Sequence, residues 1–248
     1  MTDVHPQTDK DHNGDLLENL TFRQGIKDSV PTIIGYLSVS FACGILAASS
    51  GFSVLATAVL ALMVYAGAGQ FIICALVAAG TPISAVVLTI FIVNSRHLLM
   101  CGSLAPSFRQ YSMMKNISIG LLITDETFGV AMNRIMKKKP LNDIWMFGVN
   151  LSAYSSWVAG CVLGAVLGQW IPDPRSLGLD FALSAMFCAL LMLQLQYYSG
   201  AKLRQYLVLA GIVVFCMFFF SIFFETYIAV LFSTVIGATA GMRVCSDD

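Results

Sequence analysis

The chain has 248 residues, 57% of them hydrophobic and 11% charged, and its 14 basic and 14 acidic side chains cancel to a net charge of zero. Soluble domains carry about 25% charged residues, so a mean hydropathy of +0.78 marks a chain built to live in lipid. The balanced charge excludes a basic nucleic-acid binder and a polyanionic tail. The seven cysteines form no CxxC pair and lie mostly within apolar runs, where they read as small apolar side chains rather than a disulfide or zinc framework. The three histidines, His5, His12 and His97, have no metal-ligand spacing. No metal or other cofactor is expected.

Residues 1–19 are polar and read as a disordered N-terminal tail. The first 29 residues contain no apolar core of the kind a secretory signal needs. Leu20–Asp28 is expected to form a short interfacial helix. Beyond it, a crossing needs about 20 mainly apolar residues. Eight stretches qualify: 30–49, 53–79, 82–104, 113–133, 144–169, 180–198, 205–223 and 225–242. The second is long for one upright helix and contains Gly67 and Gly69, which predicts a tilt or a break there. Asp125 and Glu126 interrupt the fourth, so seven crossings is the alternative count.

With the N-terminus cytoplasmic and eight crossings, the inside segments hold ten Lys and Arg residues and the outside segments three, Arg109, Lys115 and Arg175. That distribution follows the positive-inside rule and places both termini in the cytoplasm. The expectation is an all-α polytopic membrane protein with one transmembrane domain over 20–242 and a short cytoplasmic tail over 243–248. Gly160, Gly164 and Gly168, and again Gly237 and Gly241, repeat at four-residue spacing. This is the pattern of close helix packing in membranes.

Four of the 28 charged residues, Arg96, Asp125, Glu126 and Glu225, lie within or at the edge of apolar stretches. An ionisable group at membrane depth costs roughly 2.5–3.5 kcal/mol on insertion scales, and persists mainly beside a partner or an aqueous cavity. Three polar clusters result. In Tyr65-Ala66-Gly67-Ala68-Gly69-Gln70-Phe71, two glycines can unwind a helix, and a broken helix would offer its positive N-terminal end to an anion; tight packing explains them equally well. In Asn94-Ser95-Arg96-His97, the arginine is placed to grip a carboxylate in bidentate fashion or to pair with Asp125 or Glu126. In Thr124-Asp125-Glu126, adjacent carboxylates in a low-dielectric site do not both ionise readily, so one is expected to hold a proton, as proton coupling requires; a short span that ends near Glu126, with both acids in the headgroup region, explains them as well.

Other polar groups have plainer roles. Asp180 is placed as a helix N-cap. Asn150, Tyr154, Ser155, Ser156 and Trp157 stripe the fifth span, and Gln194 and Gln196 the sixth, where they are placed to line a cavity. Lys137–Lys139 reads as a topology anchor, with lipid binding as a lesser role. There is no GxSxG, HExxH or P-loop. A solute pathway fits better than an enzyme.

The order AGAGQF (66–71), NSRH (94–97), TDE (124–126) and LGLDFA (177–182), with Phe22, Gly25, Pro31 and Gly35 before it, resembles the AzlC family from about Phe22 to Gly241. The sequence departs mildly in showing NSR where the family often has N-L-R, and Cys43-Gly44 at a small-residue pair. The resemblance implies the large subunit of a bacterial inner-membrane exporter of valine, leucine and isoleucine, and often methionine, driven by proton exchange. It also implies a small hydrophobic AzlD-type membrane subunit as partner. On that footing the substrate-binding candidates are Gly67, Gly69, Gln70, Phe71, Asn94 and Arg96, and the proton-coupling candidates are Asp125 and Glu126. A transporter of another small solute on the same fold and a non-transporting scaffold subunit are the rival readings.

Overall fold

The computed structural model describes residues 20–171 and 200–224 continuously, with scattered positions between 181 and 195 and between 229 and 241. The tails over 1–19 and 243–248, together with Asp180, Gln194, Gln196 and Glu225, lie outside the described residues. All regular structure among the described residues is helical: α1 (Phe22–Ser49), α2 (Val54–Met63), α3 (Gly67–Ala78), α4 (Ile83–Asn94), α5 (Arg96–Phe108), α6 (Met113–Leu121), α7 (Asp125–Met136), α8 (Asp143–Gly168) and α9 (Gly200–Phe223). Among the described residues, four segments are long and apolar enough to cross a membrane: α1, α4 with α5, α8, and Lys202–Phe223 within α9.

Side-chain caps start several helices where the sequence provides them. Thr21 accepts from the Gln24 amide, Ser53 from that of Ala56 and Asn142 from that of Trp145, satisfying amides that have no intrahelical partner. No separate interfacial helix forms over 20–28, because α1 runs unbroken through Pro31. Its first turns are held instead by packing on α8. Gly25 and Gly148 face each other, and Ser29 Oγ lies 2.9 Å from Ser152 Oγ.

Helices α1 and α8 form the spine. A methyl group on Gly160 would stand 3.3 Å from the Leu37 carbonyl oxygen, one on Gly164 2.9 Å from the Phe41 carbonyl carbon, and one on Gly168 2.9 Å from Ile45 Cα. Gly44 answers from α1, abutting the Cys161 and Ala165 backbone. Contacts advance together along both helices, from Gly25 with Gly148 to Ile45 with Gly168, so the two helices run parallel. The end where both begin is called here the near end, and the other the far end.

Between them the chain forms two half-length hairpins. Helix α2 leaves the far end after the turn at 50–53 and descends until Tyr154, midway along α8, donates to the Leu62 carbonyl at 2.9 Å. Helix α3 then climbs back. Its Gly67 abuts the Trp157 ring, while Gln70 reaches Cys43 and Cys161, a turn or more further toward the far end than Tyr36 and Trp157. The second hairpin mirrors it. Lys115 at the start of α6 pairs with Asp143 at 2.5 Å, and the Ile119 carbonyl accepts from Asn150 at 3.1 Å, so α6 rises alongside α8. Helix α7 descends from Tyr36, which bonds Glu126, to Asp28, which pairs with Arg134 at 3.1 Å.

Joining the two hairpins, α4 and α5 run from the far end to the near end. Asn94 lies against Gly69, and Leu104 and Phe108 are buried with Leu20, Trp145 and Met146.

The stretches 53–79 and 113–133 therefore return to the end they started from, where the sequence reading had each crossing. The physical reason is length. Helices of nine to twelve residues at 1.5 Å per residue reach only about 14–18 Å, roughly half of a hydrocarbon core about 30 Å thick. The rearrangement also moves Arg109 and Lys115 to the near end. Every Lys and Arg between residues 20 and 171 except Arg96 now lies there, a sharper asymmetry than eight crossings give.

Side-specific labelling tests this directly. In a background with the native cysteines replaced, a cysteine at Gln110 is expected to react from the N-terminal side of the membrane and one at Thr81 from the opposite side. Five successive crossings over 30–169 require the reverse at both positions.

Candidate functional site

The hairpin tips and the interruption between α4 and α5 meet in the middle of the fold, beside Tyr36 of α1. In the first tip, residues 64–66 leave the helix and the Ala66 N–H turns back to the Val64 carbonyl at 2.9 Å. Alanine at the N-cap provides no side-chain acceptor, so the amides opening α3 at Gly67 and Ala68 keep a positive, uncapped end. Glycine is required at position 67 by space, since a methyl there would stand 2.8 Å from Trp157 Cη2.

Gln70 holds this tip in place. Its Nε2 donates to the Val64 carbonyl at 2.5 Å, and its Oε1 accepts from Trp157 Nε1 at 3.2 Å, with the Cys43 and Cys161 thiols at 3.7 and 3.6 Å. Phe71 is buried in the apolar cluster with Tyr36, Ala61 and Trp157. These two residues thus hold the break, while Gly67 and Gly69 form its face.

The second tip is built the opposite way. Thr124 and Thr127 form a capping box at the start of α7, whose first turn carries Asp125 and Glu126, so acids already occupy this positive helix end. Arg96, first residue of α5, reaches across with Nη2 2.8 Å from Asp125 Oδ2. Tyr36 donates to Glu126 Oε2 at 2.6 Å and also bonds the Thr124 hydroxyl. Asn94 closes the ring. Its amide lies 3.5 Å from where a Gly69 side chain would begin, and its Oδ1 is buried without a hydrogen-bond partner among the described residues. His97 Nδ1 lies 3.1 Å from the Asn94 carbonyl oxygen, a local contact within the interruption.

Of the sequence candidates, Gly67, Gly69, Asn94, Arg96, Asp125 and Glu126 converge here. Tyr36 was missed, although a tyrosine within an otherwise apolar run was the available signal, and Thr124 was named in its cluster but given no role. Asn150 and Tyr154, expected to line a cavity, instead brace one hairpin each through the Ile119 and Leu62 carbonyls. A cavity of about 690 Å³ does open between α5 and α6. Arg109, Tyr111 and Asn116 line it at the near end and Ile123 at its depth, one residue before Thr124. Among the described residues no group of His, Cys, Asp and Glu is arranged to hold a metal.

Because Gln70 serves four partners, Gln70→Leu is expected to lower stability by about 1–3 kcal/mol, the usual cost of stranding buried polar groups. Thermal unfolding of the purified protein in detergent measures it.

Residues 31–171 match the family model described as AzlC protein, which is more than half of the chain. The chain belongs to the AzlC family. The matched region holds both hairpins and all three interruptions of the helical path. The chain is 34% identical over 203 residues to the inner membrane protein YgaZ of Escherichia coli, covering 79% of this chain and 82% of that one. It is 32% identical over 179 residues to an uncharacterized membrane protein of Archaeoglobus fulgidus, covering 71% and 77%. It is 29% identical over 174 residues to the branched-chain amino acid transport protein AzlC of Bacillus subtilis, covering 70% and 67%. No solved structure matches the chain.

Proposed function

We propose that this protein is a secondary transporter that exports branched-chain amino acids across a bacterial inner membrane in exchange for protons, with the near end in the cytoplasm and a small AzlD-type subunit as partner. The reading of valine, leucine and isoleucine as substrates rests on the name of the Bacillus relative, while methionine as a fourth, the outward direction, the proton exchange and the small subunit rest on the resemblance to the AzlC family. The chemistry of the site supports it.

An α-amino acid is a zwitterion, and desolvating it requires a partner for each charge. The Arg96–Asp125 pair is the observation that carries the proposal. It is an internal pair that a zwitterion can open and replace charge for charge. The substrate carboxylate takes Arg96 and the uncapped amides of α3, and its ammonium takes Asp125 and Asn94 Oδ1. Half-helix ends facing a midplane site are a recurrent arrangement in transporters. The cavity between α5 and α6 provides an approach from the near end. The clustering of Lys and Arg at that end supports a cytoplasmic placement. No nucleophile and base are arranged for covalent chemistry among these residues, which favours transport over catalysis.

The test is uptake of labelled valine into inside-out vesicles with and without an imposed pH gradient, and with and without the co-expressed small subunit. Saturable, gradient-stimulated uptake that leucine and isoleucine compete is the expected result, with full rate only when the partner is present. Absence of uptake under every condition contradicts the proposal.

A further inference from the structure

The proposed exchange needs a group that alternates between holding a proton and releasing it, and the two acids of the second tip differ in what surrounds them. Asp125 is tied to Arg96 at 2.8 Å. A proton on Asp125 would cancel that attraction. Glu126 takes part in none of the ion pairs among the described residues, and its side-chain partner is the Tyr36 hydroxyl at 2.6 Å. The ionisable groups that face it are Tyr36 from α1, Tyr65 from the first tip and Asp125 beside it, whose charge Arg96 of α5 offsets.

We propose that Glu126, and not Asp125, carries the coupling proton, with Tyr36 and Thr124 as a hydroxyl relay that stays bonded in both protonation states. This rests on the transport reading above. When Glu126 is ionised, Tyr36 donates to its Oε2, Thr124 donates to the Tyr36 oxygen, and the Thr127 N–H, 3.5 Å from Thr124 Oγ1, donates to Thr124. Transfer of one proton from a hydronium ion to the carboxylate breaks one O–H bond of that ion, leaving water, and forms one O–H bond on Glu126, with no covalent bond broken in the protein. The hydroxyls then turn over in sequence. Glu126 donates to the Tyr36 oxygen, Tyr36 to Thr124 Oγ1, Thr124 to Thr127 Oγ1 at 3.5 Å, and Thr127 to the Thr124 carbonyl at 3.4 Å. Each hydroxyl has one donor and acceptor lone pairs, so the chain accommodates either polarity without stranding a buried group. Asp125 has no such freedom while it balances Arg96. The division of labour is therefore substrate charge on Asp125 and proton on Glu126.

Two measurements on the full chain test this. The first compares, in inside-out vesicles, pH-gradient-driven accumulation of labelled leucine with counterflow exchange of leucine at equal pH. Glu126→Gln is expected to lose gradient-driven accumulation and keep counterflow. Tyr36→Phe is expected to slow accumulation and shift its pH profile. The second is infrared difference spectroscopy of the purified protein across a pH titration. The wild type is expected to show one titrating protonated-carboxyl band that is absent in Glu126→Gln and retained in Asp125→Asn. Gradient-driven accumulation by Glu126→Gln, loss of counterflow together with accumulation in that variant, or a titrating band that disappears with Asp125→Asn instead, overturns the assignment. If the wild type moves no branched-chain amino acid at all, the transport reading fails, and the infrared titration still decides which acid holds the proton.

Discussion

Replacing Arg96 with methionine is expected to destabilise the protein by about 3–5 kcal/mol, the usual result of leaving one partner of a desolvated ion pair behind. The pair sits where three helical interruptions meet, with 28% and 20% of the two side chains exposed, so the lower end of that range is the expectation. The informative comparison is the double variant Arg96→Met with Asp125→Leu. Removing both charges is expected to restore most of the lost stability, because well-packed apolar side chains often substitute for a buried pair at little cost. Transport is expected to be lost in both variants, since neither can answer a zwitterion. Thermal unfolding in detergent beside valine uptake in vesicles separates the two effects. A double variant that recovers stability and also transports would reduce the pair to a structural clasp and contradict its role in binding the substrate.

The second large effect is expected at the spine. Gly44→Val or Gly164→Val places a branched side chain against backbone of the opposite helix, where a single added methyl already lies 2.7 Å from the Ala165 nitrogen or 2.9 Å from the Phe41 carbonyl carbon. Backbone cannot step aside as a flexible side chain can, so α1 and α8 must separate, at a cost of about 3 kcal/mol or more. Gly35→Ala and Gly102→Ala meet nothing within 4 Å and are expected to change the unfolding temperature little or raise it, since alanine is the better helix residue. The same measurement on all four variants distinguishes a seam that fixes helix approach from glycines scattered through an apolar chain. The Gly160, Gly164 and Gly168 repeat was visible in the sequence as packing. Its counterpart on α1 was visible only as the isolated Gly44.

The chemistry of this protein was more legible in its sequence than its path through the membrane. Charged groups cannot sit in apolar runs without a partner, so Arg96, Asp125 and Glu126 pointed to one another before any geometry was known, and the salt bridge between the first two realises one of the pairings left open. The hairpins were not legible in the same way. A run such as 53–79 has the hydropathy of a crossing whether it crosses or turns back, and hydropathy carries no sign for direction. Two signals bore on the question. The Thr124 and Thr127 capping box marks a helix start in the middle of the supposed fourth crossing. Arg109 and Lys115 also counted against the eight-crossing orientation, and they fall into line once the run over 113–133 returns to its own end. Gln70 shows a further limit. A glutamine beside two glycines in an apolar segment reads as a ligand group, yet its amide is committed to the Val64 carbonyl and Trp157, which only the fold could reveal.

The order of segments carries a functional consequence. A full-length helix followed by a half-length hairpin occurs twice, first α1 with α2 and α3, then α4–α5 with α6 and α7, in opposite directions. Inverted units of this kind place a site at their shared middle and allow access to alternate between the two ends. The two tips are chemically complementary, one presenting uncapped amides and the other carboxylates. That asymmetry is what a zwitterion requires.

The most direct measurement of the central claim is equilibrium binding of labelled leucine to the purified protein, competed by unlabelled leucine, by its decarboxylated amine and by its deaminated acid. A site that pairs both charges predicts saturable binding, with each truncated analogue at least about tenfold weaker than leucine, since a lost charged hydrogen bond is worth about 1.5–3 kcal/mol. Competition by either analogue as strong as that by leucine would contradict a zwitterion site between the two hairpin tips.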